Sequence, residues 1–129
     1  MKFLLDSNAV IALMKARPAF LARLREHSPS DFGLPAVVAH ELYFGAFRSQ
    51  RGTENLARVE ALRFEVLELD REDARQAGEL RAQLAAAGTP IGPYDVLIAG
   101  QALARDLVLI THNTREFQRV PGLRFEDWE

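Results

Sequence analysis

The sequence contains no cysteine. That excludes a disulfide framework, a thiolate nucleophile and a thiolate metal site, and it suits a reducing compartment. Histidine is nearly as scarce, with three in 129 residues, so a metal site here would have to be built from oxygen. Long apolar runs are missing too. Nothing approaches the roughly 20 residues that cross a bilayer, and no basic segment leads into an apolar stretch and a cleavage site at the N-terminus. The expected location is the cytoplasm, with no membrane partner. Neither sign of charge prevails: 16 basic and 18 acidic residues leave a net charge of −2. A global polybasic signature for nucleic acid is therefore absent. Any such contact must be local and made by arginine, because Lys2 and Lys15 are the only lysines and a guanidinium forks onto phosphate.

What is present is the composition of an ordinary globular chain, 48% hydrophobic and 26% charged. Residues 1–129 fit one domain that buries roughly 65–70% of its unfolded surface. The spacing of apolar residues predicts helices over Ser7–Lys15, Pro18–His27, Ala36–Arg48, Glu54–Arg63, Arg71–Ala87 and Tyr94–Arg105, with Arg115–Phe117 as a single turn. Ser7 is the expected N-cap of the first. Strands are expected at Phe3–Leu5, Phe32–Leu34, Phe64–Leu69, Leu107–Ile110 and Leu123–Phe125. Strands alternating with helices in this way imply a parallel sheet covered on both faces.

Most acids sit in polar company, as Glu54, Glu60, Asp70, Glu72 and Asp73 do, and such charges are expected to be solvated. Three are different. Asp6 ends an apolar strand, Glu41 lies within Val37-Val38-Ala39-His40-Glu41-Leu42-Tyr43-Phe44, and Asp95 lies within Tyr94-Asp95-Val96-Leu97-Ile98-Ala99. An ionised carboxylate withdrawn from water costs several kcal/mol unless it is paired or binds a metal. Asp95 falls in the first turn of its helix, where the free N–H groups favour negative charge and ionisation. Gly45, one turn after Glu41, should let another backbone approach. Asn113 follows the apolar run Leu107–Ile110, so it stands at a strand's carboxyl end as Asp6 does. Ligands bind there in open α/β sheets. Asp6, Glu41, Asp95 and Asn113 can thus converge on one crevice, an oxygen-only set that suits Mg²⁺ or Mn²⁺ and work on phosphate esters.

Leu4-Leu5-Asp6-Ser7-Asn8, Glu41-Leu42 with Gly45, Ile91-Gly92-Pro93-Tyr94-Asp95-Val96-Leu97-Ile98-Ala99, and Thr111-His112-Asn113-Thr114-Arg115-Glu116-Phe117 running on to Trp128 together resemble the PIN-domain ribonucleases, specifically the VapC-type toxins of type II toxin–antitoxin pairs. The resemblance spans the whole chain in order. It implies a three-layer α/β/α PIN-like (Rossmann-like) fold with a mainly parallel sheet of four or five short strands. It further implies a Mg²⁺- or Mn²⁺-dependent endoribonuclease, held by a cognate VapB-type antitoxin and usually a homodimer. Its catalytic positions would be Asp6, Glu41, Asp95 and Asn113, with Asp6, Asp95 and Glu41 as metal ligands. Asn113 stands where PIN domains often carry Asp, and Glu116 is the carboxylate that could replace it. The tail from Thr111 is most similar to toxins whose target class is initiator tRNA, cut in the anticodon loop.

Simpler roles remain for each residue. Asp6 can be a helix N-cap, Glu41 can pair with Arg48, and Asp95 can merely complement a helix dipole. His40 and His112 read as structural or solvent-facing, with no evident acid partner, and Trp128 as a packing lid over the last strand. A phosphoacceptor domain or a haloacid-dehalogenase-like phosphatase would also place Asp after strand one. Both need a lysine after a late strand, and none is there. A non-catalytic RNA-binding or scaffold domain is the alternative from another class, and it predicts no metal dependence.

Overall fold

The computed structural model describes residues 1–129. Five short strands, β1 (Phe3–Leu5), β2 (Phe32–Pro35), β3 (Glu65–Leu67), β4 (Val108–Ile110) and β5 (Phe125–Glu126), form one sheet in the order β3-β2-β1-β4-β5. Every pairing is parallel. The helices are α1 (Ser7–Met14), α2 (Pro18–Leu24), α3 (Ala36–Arg48), α4 (Gly52–Glu60), α5 (Arg71–Ala86), α6 (Pro93–Arg105) and α7 (Thr114–Phe117). They cover both sides, giving the three-layer α/β/α architecture. The central strands are apolar without alternation because both faces are buried: Leu4, Leu5, Leu109 and Ile110 are shut away from solvent.

The chain runs outward from β1 to β2 and β3, then returns to place β4 on the other side of β1. The connections leaving β1 and β4 therefore diverge, and a crevice opens above their carboxyl ends. The register sets its floor. Leu5 pairs with Ile110, and the Asp6 N–H donates to the Ile110 carbonyl at 3.1 Å.

Several boundaries differ from the sequence expectation. The N-cap of α1 is Asp6, whose side chain accepts from the Ser7 N–H, so Ser7 is already the first helical residue. A 3₁₀ turn at Pro29–Asp31 precedes β2. The helix expected from Glu54 starts two residues earlier, at Gly52, and ends at Glu60. The last strand lies at Phe125–Glu126 instead of Leu123–Phe125, because pairing with Leu109 and Ile110 fixes it, not the apolar run. Nothing lies within 4 Å of where a Cβ on Gly45 would stand, so no backbone approaches there. The close approach is at Gly100, where a Cβ would fall 2.5 Å from Ala77 Cα. That glycine lets α5 and α6 pack backbone to backbone. Trp128 is a packing residue, but it covers the start of β1 and β2 more than the last strand. Its ring meets Phe3 edge-on, lies flat on His27 and tilts against Phe20.

Candidate active site

Asp6 is set by two local preferences. It ends β1 in an extended conformation and caps α1, so its carboxylate is held at the mouth of the crevice while its backbone stays in the sheet. It is only 3% exposed. Oδ1 accepts from the Ser7 N–H at 2.8 Å, and Oδ2 accepts from the Thr111 hydroxyl at 2.9 Å and from Asn8 Nδ2 at 3.1 Å. Asn8 in turn accepts the His112 N–H at 2.7 Å, which ties the turn after β1 to the turn after β4. No cation is among these partners. Burial lifts the Asp6 pKa above the usual carboxylate range despite the three hydrogen bonds, and the charge of Glu116 adds to the rise.

Glu41 arrives from α3, which begins directly after β2. Its carboxyl is also pushed up, first by partial burial and then by the charge of Asp6. The pairing with Arg48 does not form: Arg48 lies over the Phe44 ring, 5.1 Å from its centroid. Asp95 sits in the first turn of α6. Burial, a hydrogen bond with Glu116 and the charges of Asp6, Glu116 and Glu41 raise its pKa to about 7. The helix terminus does not hold its pKa in the usual carboxylate range, because desolvation and three neighbouring acids outweigh the dipole.

Glu116, from α7, takes the complementary part. Burial works against its ionisation, yet the Gly92 N–H, Asp95, the Asn113 amide and the charge of Arg119 together hold its pKa below the usual value. Asn113 Nδ2 donates to Glu116 Oε2 at 2.8 Å, and the Asn113 N–H donates to Thr111 Oγ1 at 3.0 Å. Asn113 thus presents its nitrogen to a carboxylate and orients Glu116.

The structure therefore gathers Asp6, Glu41, Asp95, Asn113 and Glu116 at the carboxyl edge of the sheet from four segments, Asn113 being the N-cap of the helix that carries Glu116. None of the four acids forms an ion pair; every ion pair in the molecule lies elsewhere. Such a donor set, all oxygen and rich in uncompensated charge, fits a hard divalent cation. Asp95 and Glu116 share a hydrogen bond, but no three of the acids bring their oxygens within 4.8 Å of one another. The one trio that does meet this limit is His112, Asp127 and Glu129, all exposed. There the imidazole Nδ1 is 3.0 Å from Asp127 Oδ2, and Glu129 also pairs with Arg17 at 3.4 Å, so the trio ties the last residues to the body. His112 thus has the acid partners the sequence did not reveal.

Sequence reasoning missed Thr111 and Asn8. Thr111 is buried and central to the network. Its place one residue beyond β4, as Asp6 is one beyond β1, was the available signal. Asn8 read only as a helix start.

Comparison with known proteins follows this geometry. Residues 3–123 match the PIN domain family. The chain is 43% identical over 130 residues to the tRNA(fMet)-specific endonuclease VapC of Salmonella typhimurium, covering 99% of this chain and 98% of that one. It is 38% identical to Ribonuclease VapC1 of Haemophilus influenzae, again over 99% and 98%. Among solved structures, DNA-bound VapBC from Salmonella typhimurium superposes with a TM-score of 0.94 at 40% identity, over 100% of this chain and 99% of that one. VapBC2 from Rickettsia felis, bound to a promoter DNA fragment, gives 0.92 at 28% identity over the full length of both.

Proposed function

The chain belongs to the PIN-domain family, among its VapC ribonucleases, and on that premise we propose that residues 1–129 form one PIN domain acting as the metal-dependent endoribonuclease toxin of a VapBC pair. The observation that carries the reading is the crevice of four acids, none of which forms an ion pair. Asp6, Glu41 and Asp95 would hold Mg²⁺ or Mn²⁺, with Glu116 as the fourth carboxylate and Asn113 orienting it. A cation bound there supplies charge neutralisation at the phosphoryl oxygens and a more acidic water.

The chain's own side chains divide the remaining work. Thr111 and Asn8 fix Asp6 in one rotamer, and Gly92 and Asn113 fix Glu116. Glu41 makes no hydrogen bond and can adjust to the ligand. Water attacks phosphorus and the bond to the 3′-oxygen breaks, so the products carry 5′-phosphate and 3′-hydroxyl ends without use of the 2′-hydroxyl. The substrate is RNA, and the Salmonella relative directs attention to initiator tRNA.

A VapB-type antitoxin would silence the site by inserting an arginine among Asp6, Glu41 and Asp95, for which uncompensated carboxylates are a natural socket. A groove of about 330 Å³ that includes Glu41 has Ile11, Met14, Leu42, Ala46 and Val59 for the inhibitor's apolar residues, with Lys15 and Arg58 also in its wall. No helix is long and apolar enough to cross a membrane, and the reading places the protein in the cytoplasm as a homodimer.

The test is cleavage of an initiator tRNA transcript against an elongator tRNA, with Mg²⁺, with Mn²⁺ and with excess chelator, followed by analysis of the ends. Undiminished cleavage in chelator, or 2′,3′-cyclic phosphate ends, overturns the mechanism. RNA binding without cleavage under all conditions would make the chain a binding module instead.

A further inference from the structure

We propose that Tyr94 and His40 form a base-stacking platform at the edge of the crevice beside Asp95 and Glu41, and that Arg115, beside Glu116, grips a backbone phosphate of the same single strand. The inference rests on the ribonuclease reading and says how the substrate is held.

Each member of the aromatic pair is the residue before an acid of the site: His40 precedes Glu41 on α3, and Tyr94 precedes Asp95 on α6. Their rings meet edge to face, with centroids 5.8 Å apart and planes at 87°. Both side chains are exposed, Tyr94 by 46%. Tyr94 lies outside the apolar core and its hydroxyl makes no hydrogen bond. It therefore has no packing role to account for a large aromatic surface left in water. The edge-to-face contact with His40 holds the tyrosine ring while leaving π surface free. An unpaired base can stack on such a surface whatever its identity.

The surface beside Glu116 has a different character. A recess of about 200 Å³ beside Glu116 is lined by Asn113, Arg115, Glu116 and Arg119, with no apolar residue. Arg119 is engaged, donating to the Pro90 carbonyl at 2.9 Å. Arg115 is exposed and makes neither an ion pair nor a hydrogen bond. A free guanidinium beside a crevice of carboxylates sits where a polyanion needs it, because the acids themselves repel RNA. An aromatic surface beside two of the site's acids together with a free cation beside a third favours a nucleic-acid strand over a protein surface. In a near-neutral chain this is also the local basic contact that the composition requires.

The two contacts separate in a salt titration. With wild type cleaving the tRNA transcript in Mg²⁺ or Mn²⁺, Tyr94→Ala should raise KM at least about 5-fold at every salt concentration, with Tyr94→Phe and Tyr94→Trp restoring it and Tyr94→Leu failing to. Arg115→Ala should raise KM most at low salt and flatten the dependence of log KM on log salt by about 0.7. Binding of a labelled anticodon stem-loop to Asp6→Asn protein, with and without each second change, measures the same contacts without turnover. If wild type cleaves and the Tyr94 variants match it in KM and binding, the platform is wrong. If Tyr94→Ala instead converts a dimer to monomers in sedimentation, the pair is a protein interface and the proposal falls. If wild type cleaves no RNA, the ribonuclease reading fails by itself, and the stem-loop titration still decides the contacts.

Discussion

Asp6 and Asp73 are the two most deeply buried acids of the chain, at 3% and 1% exposure, and their surroundings are opposite in kind. Asp73, on α5, accepts from Gln101 Nε2 at 3.0 Å and from both Arg105 Nε and Nη2, at 3.2 and 3.0 Å. Gln101 and Arg105 also donate to the Glu68 carbonyl. Burial disfavours its charge, but the hydrogen bonds from Arg105, the Asp70 backbone and Gln101 outweigh that and hold its pKa below the usual carboxylate value. Asp6 is as well hydrogen-bonded but has no cation, and its pKa moves the other way. One acid is complete in itself and clamps α5 to α6. The other has no opposite charge among its partners in the chain.

The largest expected effect comes from removing the incomplete acid. Asp6→Asn should lower kcat by about 100-fold or more. The metal-free protein should lose little stability, because the removal of a repelling charge offsets the acceptor lost to Asn8 Nδ2, and Asn is an equally good N-cap. Denaturant melts in chelator beside cleavage rates check both halves. A loss of several kcal/mol would make Asp6 a structural cap and misplace the site.

Asp73→Ala should do the reverse. It leaves the Gln101 amide and the Arg105 guanidinium without their acceptor and should reduce unfolding free energy by about 2–3 kcal/mol. Turnover per folded molecule should not change, since the clamp lies away from the crevice. A matching fall in kcat would show that α5 and α6 transmit strain to Asp95. Metal linkage sharpens the contrast. Mg²⁺ at roughly 100 times its Kd should stabilise wild type and Asp73→Ala alike by about 2.7 kcal/mol, and Asp6→Asn by much less, as read from thermal melts.

The contrast also marks where the sequence speaks and where it is silent. Asp6, Glu41 and Asp95 were legible because each interrupts an apolar run, and a charge among apolar neighbours needs a partner. Asp73 was not. Its sequence neighbours are charged, so it read as solvated, while the arginine that completes it lies 32 positions on, across a helix contact that Gly100 makes close. The helices and four of the five strands followed from periodicity. The order β3-β2-β1-β4-β5, which turns separate acids into one crevice, is tertiary and left no local mark. Thr111, Asn8 and the reversed amide of Asn113 escaped notice for the same reason: short polar side chains take their roles from whatever packs opposite them.

The smallest effect is a pH dependence with two opposed windows. Asp95 has a folded pKa of about 7, well above its unfolded value, so between about pH 4 and pH 7 the native state binds a proton that the unfolded state has lost. Stability of the metal-free protein should therefore fall as pH rises through that window, and Asp6 and Glu41, also raised, push in the same direction. Asp73 is depressed, so its contribution is present above about pH 4 and is lost as pH falls below. Glu116 is depressed too, and its part follows Asp73. Metal-free melting temperature should then pass through a maximum on the acid side of neutrality. Asp95→Asn should flatten the descent toward pH 7 while leaving the acid limb intact, and Asp73→Asn should weaken the acid limb alone. Saturating Mg²⁺ should abolish the descent, because a bound cation holds the crevice acids ionised. If the descent survives both Asp95→Asn and Mg²⁺, the raised pKa belongs to another group and the crevice is not the seat of the uncompensated charge.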